Sequence, residues 1–371
     1  MKTRVLTRRS FALAAAGLLS GAERWKGGPP APFLKEIETL RAEHNVPGIS
    51  AAWLENGRVT WMAGFGSTDA EGKSRVDEKT IFAAASLSKP VFALAVLRFR
   101  DQGGLDLDKP LQDYLPFSED ERTRRITARH VLSHTTGLPN WRFKPGVLRA
   151  NFEPGSRFGY SGEGYFLLQR VVETLSGEPT EMFLRRRVFS PLQLRDSSFI
   201  GPSVPGYDSK GPPSRILPPA YLERVQAVIE EMKIDYTTIT TEQSLAVAAK
   251  VAPAALPVYV SPNSAGSLTT TATDFAVIMK TLAQTKAMHE PLIQANGADW
   301  WGLGAGIERT DSGSYLWHWG NSPGTKCYFA LQPESATGIV VFTNGDNGAA
   351  LYRHIATAAL GRSPNAFGWI R

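Results

Sequence analysis

The strand-like runs of this 371-residue chain stand near its two ends. Ile49–Leu54 and Val59–Phe65 are joined by Glu55-Asn56-Gly57, and an Asn-Gly pair between apolar runs specifies a hairpin. Tyr315–Trp319, Lys326–Leu331 and Gly338–Thr343 read as three further strands separated by turns. Helical patterns lie beside them. Phe33, Leu34, Ile37 and Leu40 recur at helix spacing before Asn45-Val46-Pro47-Gly48. Phe82–Phe99 reads as one long apolar helix and Ala349–Leu360 as a final one. This order predicts an α+β fold: an antiparallel sheet built from both termini and flanked by helices, over 33–110 and 265–371. The stretch 111–264 is rich in helices and loops, with Pro-dense connections at 202–219 and 253–262, and reads as a mostly helical insertion domain.

The net charge of +6 raises the question of a nucleic-acid partner. Lys2, Arg4, Arg8 and Arg9, with no acid among residues 1–22, supply four of those six charges. The remainder is nearly balanced and carries no dense basic stripe, so no nucleic acid is expected. Arg122, Arg124, Arg125 and Arg129 form the densest remaining cluster and read as a solvated face. Thr7-Arg8-Arg9-Ser10-Phe11 precedes an apolar run to Leu19, the pattern of a twin-arginine export signal cleaved near Ala22. That run is too short to span a bilayer, so a periplasmic or exported protein with no membrane span after signal removal is expected. Cys327 is the single cysteine, which excludes an intrachain disulfide.

Ser86-Leu87-Ser88-Lys89 is the only Ser-x-x-Lys in the chain and stands at the start of the long apolar helix. Residues i and i+3 share a helix face, so Lys89 can reach the Ser86 hydroxyl. A serine hydroxyl is a weak nucleophile until a base adjoins it. A lysine serves as that base when burial lowers its pKa. Pro90 suits a first helical turn.

Five segments surround this motif with a shared likeness. They are Ile81 to Lys89, Ile126 to Leu138, Glu153-Pro154-Gly155-Ser156-Arg157-Phe158-Gly159-Tyr160-Ser161, Gly266 to Asp274, and His318-Trp319-Gly320. Together and in this order, the chain resembles the serine β-lactamase/penicillin-binding family, in particular its class C-like branch with D,D-peptidases and esterases. The likeness runs from about residue 33 to 360. It implies that Ser86 is acylated, that Lys89 is its general base or proton relay, and that Tyr160 shuttles a proton to the leaving group. It further implies that His318-Trp319-Gly320 lies on a strand flanking the serine, where His318 binds a carboxylate or moves protons. The backbone N–H groups of Ser86 and Asn321, beside Gly320, would form the oxyanion hole. No metal or cofactor is called for, and the partner is a small-molecule or cell-wall peptide substrate.

One departure matters. The family's Tyr-x-Asn motif reads Tyr160-Ser161-Gly162 here, and glycine has no amide to offer. With His318 in place of lysine, this favours an esterase or amidase over a D-Ala-D-Ala-type carboxypeptidase or a β-lactamase. A non-catalytic penicillin-binding-type receptor is the alternative. Glu163 or Asn321 is the candidate for the missing polar contact.

Three other patterns are set aside. Gly320-Asn321-Ser322-Pro323-Gly324 fits Gly-x-Ser-x-Gly, but a strand rather than a helix follows it. His130 and His134 have the spacing of a zinc pair on a helix, without the glutamate or third ligand such a site needs, and read as structural. Trp300, Trp301, Trp317 and Trp319 read as core or cleft wall, and Gly302 to Gly306 as a close-packed strand or turn.

Overall fold

A computed structural model describes residues 25–142, 147–214, 218–251 and 262–370. The twin-arginine leader and most of the Pro-dense stretch 253–262 lie outside the described residues.

An eight-stranded antiparallel sheet runs β2-β1-β10-β9-β8-β7-β6-β5. Its first hairpin is β1 (Gly48–Glu55) and β2 (Arg58–Gly66). Asn56 and Gly57 turn it with φ of 50° and 73°, the left-handed pair that this hairpin type requires. The others are β5 (Ile293–Asn296), β6 (Asp299–Trp301), β7 (Gly306–Thr310), β8 (Gly313–Ser322), β9 (Thr325–Gln332) and β10 (Thr337–Thr343). The two ends of the chain meet where β1 pairs β10, in register from Ile49↔Thr343 to Leu54↔Gly338.

Strand alternation builds two cores. Ile49, Ala51 and Trp53 of β1 face α1 (Ala31–Glu43) and the C-terminal helix Gly348–Leu360, together with Trp317, Tyr328 and Val341. Ala52 and Leu54 face the opposite side, where Phe329, Val340 and Phe342 pack with α2 (Ser88–Asp101) and the helix Ala272–Gln284. Both faces are covered, which is why β1 reads as a continuous apolar run. The segment between the two halves of the sheet carries α3 (Ala128–Leu132), α4 (Gly162–Ser176), α5 (Thr180–Leu184), α6 (Pro219–Glu231) and α7 (Thr241–Val251). α6 and α7 close a small core of their own around Val225, Ile229, Val247 and Val251. No helix among the described residues is long and apolar enough to cross a membrane.

Two sequence expectations need correction. The run Phe82–Phe99 is not one helix: Phe82–Ala83 is a short strand, β3, paired with β4 (Thr269–Thr270), and the α-helix begins only at Ser88. His130 and His134 do not share a helix, because α3 ends at Leu132 and His134 has φ 54°. No cluster of three or more His, Cys, Asp or Glu side chains suited to a metal occurs among the described residues. The sheet also gains β5, β6 and β7, which periodicity did not reveal. The basic cluster is engaged at the surface, with Arg129 on Asp108 at 2.6 Å and Arg125 on Glu153 at 2.9 Å.

Candidate active site

Ser86 sits in a 3-10 turn, Ala85–Leu87, that leads into α2. Ala85 just before it has φ 44°, a left-handed conformation that an L-residue holds only when its surroundings enforce it. Those surroundings are visible. The Ala84 amide donates to Leu268 O at 2.7 Å, and Cys327 Sγ donates to Ala84 O at 3.0 Å. Ser88 Oγ donates to Ala85 O at 2.5 Å and accepts from the Leu268 amide at 2.9 Å. Strand β8 presses on the turn at Gly320. A Cβ there would stand 2.2 Å from Cys327 Sγ and 2.8 Å from Ala84 O. Gly320→Ala is therefore expected to push β8 off the Ser86 turn, at a cost of about 1–3 kcal/mol for overpacking. Thermal denaturation reads this as a lowered Tm; an unchanged Tm would refute the close packing.

Lys89, the second residue of α2, is 1% exposed. Its Nζ donates to Ser86 Oγ at 3.0 Å and to Ala265 O at 2.8 Å. The rings of Tyr160 and Tyr165 lie 4.8 Å and 5.6 Å from the amine. Burial lowers its pKa from the usual 10.5 to about 7. The amine is thus poised to exchange a proton near neutrality.

Tyr160 is half-buried, and its hydroxyl is shut away from solvent without a partner at normal hydrogen-bond geometry. Burial raises the phenol's pKa, while the neighbouring Ser86 hydroxyl opposes the rise. The phenol therefore keeps its proton and can relay one, but cannot serve as a resting phenolate base. His134 packs on its ring at 4.2 Å and accepts from the Ser161 amide through Nδ1 at 3.1 Å. The structure brings Ser86, Lys89 and Tyr160 into one place.

It does not bring His318 to the same surface. That ring is fully buried, and its Nδ1 contacts Trp319 O at 2.7 Å. Because a carbonyl only accepts, Nδ1 carries the proton and Nε2 is left as a buried, unpartnered acceptor. Burial, reinforced by Lys89, pushes its pKa down to about 3. A neutral ring with no face on the cleft does not bind a substrate carboxylate. Its place is behind Tyr160, 6.1 Å between ring centres, beside Trp301 at 5.3 Å. Trp301 and Trp317 are core residues, and Trp319 packs on Tyr160 at 5.0 Å.

A cleft of about 760 Å³ opens over Ser86. Asn321 and Ser322 line it from the end of β8, next to Gly320. Ser322 belongs to the β8–β9 hairpin, paired with Thr325, and not to a strand-to-helix elbow. The space of the missing second-motif side chain is occupied: a Cβ at Gly162 would stand 2.3 Å from the Trp141 ring. Glu163 does not replace it, because its carboxylate is buried on Arg142, at 3.1 Å from Nη2 and accepting from the Arg142 amide at 2.9 Å. Asn140, Trp141 and Asn263 do line the cleft. Sequence reasoning missed all three, since none belongs to a recognisable motif. Asn263 Oδ1 accepts from the Ala265 amide at 2.9 Å, so its amide nitrogen is the group left to offer the cleft.

The β-lactamase family model matches residues 33–361. The chain belongs to the β-lactamase family. Among curated relatives it is 29% identical to esterase EstB of Burkholderia gladioli over 47% of this chain and 54% of that one. It is also 29% identical to penicillin-binding protein 4* of Bacillus subtilis, over 43% of this chain and 40% of that protein. This β-lactamase family member thus matches about half the length of those relatives. Among solved structures, an octameric penicillin-binding protein homologue from Pyrococcus abyssi superposes with a TM-score of 0.67 at 21% identity, covering 89% of this chain and 78% of that one. A D-stereospecific amidohydrolase from Streptomyces superposes with a TM-score of 0.65 at 18% identity, covering 90% of this chain and all of its own. These last two likenesses concern the fold.

Proposed function

We propose that this protein is a serine hydrolase that cleaves an ester or amide bond through an acyl-enzyme on Ser86. The observation that carries the reading is the 3.0 Å contact between Ser86 Oγ and a buried Lys89 amine with a pKa near 7, at the foot of a cleft. Once Lys89 has lost its proton, the Ser86 hydroxyl can donate across the same contact. Ser86 Oγ then attacks the substrate carbonyl and its proton passes to Lys89. The backbone N–H groups of Ser86 and Asn321, at the foot and edge of the cleft, are the candidate donors to the oxyanion, whose stabilisation is commonly a large part of such catalysis. Collapse expels the alcohol or amine, which takes up the proton relayed from Lys89 through Tyr160. Water then attacks the acyl ester by the reverse proton path, releasing the acid and restoring Ser86.

Asn263 takes over the work of the missing second-motif amide by donating to the substrate. Asn263→Asp keeps the acceptor for the Ala265 amide and removes the donor. It is expected to lower kcat/KM about tenfold, the value of one hydrogen bond. The measurement is made on the alkaline plateau, above the Lys89 titration, so that the new charge does not confuse the comparison. An unchanged plateau would remove Asn263 from the site.

We infer from the Arg8-Arg9 leader that this activity lies outside the cytoplasm. The test of the hydrolase reading is turnover of a panel of p-nitrophenyl esters by the full chain at neutral pH. Turnover is expected. Stoichiometric acylation of Ser86 with no turnover of any ester, peptide or lactam would instead favour the receptor reading.

A further inference from the structure

Beyond the nucleophile, the cleft walls carry a chemical signature. Among the described residues, no Lys, Arg, His, Asp or Glu lines it. Trp141, Val204, Pro205, Leu222, Tyr236 and Pro323 supply apolar surface, and the polar remainder is neutral. Leu222 and Tyr236 are 46% and 41% exposed. Large apolar side chains left in solvent on a concave wall mark a surface that something apolar covers.

Among the described residues, the cations next in sequence to lining residues Trp141 and Thr325 are engaged elsewhere. Lys326 Nζ donates to Ser322 O at 3.0 Å and to Asp346 Oδ1 at 2.7 Å. Arg142 is paired with Glu163. Lys89 is buried against Ser86, and His318 is neutral and walled off. A substrate carboxylate entering this cleft would lose water and, among the described residues, meet no fixed positive charge, which is strongly unfavourable. A neutral apolar group would instead cover Leu222 and Tyr236.

We propose that this cleft selects uncharged esters and amides with an apolar group flanking the scissile carbonyl, and rejects substrates with a carboxylate within a few bonds of it. The proposal rests on Ser86 being the acylated residue. It sets this protein apart from any enzyme that anchors a free peptide carboxy-terminus beside its nucleophile.

The test compares p-nitrophenyl hexanoate with p-nitrophenyl hydrogen adipate, using the full chain at pH 8. The two share a leaving group and a six-carbon acyl chain and differ by a terminal carboxylate. The hexanoate is expected to show a kcat/KM about 100-fold higher, the discrimination of an unpaired charge in a partly desolvated site. Leu222→Lys is expected to narrow that ratio at least about tenfold by supplying the missing partner. Leu222→Gln, close in size and uncharged, is the control. Parity of the two esters with Ser86 acylated by both overturns the inference and leaves the hydrolase reading standing. Equal narrowing by the lysine and glutamine variants overturns the charge argument. No turnover of either ester and no adduct on Ser86 removes the hydrolase reading and this inference with it.

Discussion

Replacing Ser86 with alanine is expected to bring ester turnover down by about 10³-fold or more, to near the uncatalysed background. The folded state should barely notice. Ser86 is half-exposed at the cleft, and its side chain accepts a hydrogen bond from Lys89. The strained turn around it is held by other groups: the Ala84 amide on Leu268, Cys327 Sγ on Ala84, and Ser88 Oγ between Ala85 and Leu268. The midpoint of thermal unfolding should therefore shift by no more than about a few degrees. Activity that survives in Ser86→Ala but disappears in Ser322→Ala would move the nucleophile to the β8–β9 hairpin.

Lys89→Met is the second large effect. Methionine matches the length and burial of the lysine without its amine. Acylation should slow by about 10³-fold while substrate affinity changes little, because a base acts in the transition state. The pH dependence separates this from a packing defect. In the wild type, kcat/KM should rise with pH through about 7, as the buried ammonium gives up the proton that blocks its lone pair, and then level off. The residual rate of Lys89→Met should lose that limb. Stability carries the same signature. The amine titrates near 7 when folded and near 10.5 when unfolded, so the folded state binds fewer protons between those values. Its buried charge penalises folding in full below about pH 7, and the penalty is relieved as pH rises toward 10.5. Lys89→Met should flatten this part of the stability profile, measured as Tm at pH 6 and pH 9. A wild-type rate independent of pH from 6 to 9 would take Lys89 out of the proton path.

The sheet was legible at the ends of the chain because two signals coincide there. Asn56-Gly57 fixes the first hairpin, and apolar runs such as Ile49–Leu54 and Gly338–Thr343 match strands covered on both faces. β5, β6 and β7 escaped because they are three to five residues long and mix Gln, Asn, Asp, Glu and Arg with the aromatics. Their stability comes from lying in line beyond β8, a context no local pattern contains. The run from Phe82 imitates a helix because alanine and phenylalanine suit one. What breaks it is the pairing of Ala83 with Thr269, far along the chain, and the packing of Gly320 against Ala84.

The site divides in the same way. Ser86 and Lys89 are neighbours through helical spacing, and Tyr160 was placed by its motif. The burial of His318 depends on its surroundings rather than on its sequence neighbours. The content of the space beside Gly162 was equally hidden. Only the fold shows the Trp141 ring in that space and Asn263 on the cleft wall.

The most direct test of the account is to find which atom carries the acyl group. The full chain is quenched in acid during turnover of a slow ester or after reaction with a fluorophosphonate, digested, and mapped by mass spectrometry. The expected result is a single adduct on Ser86 that forms faster as pH rises through about 7 and is absent from Ser86→Ala. An adduct on any other residue, or ester turnover with Ser86 unmodified, would contradict it.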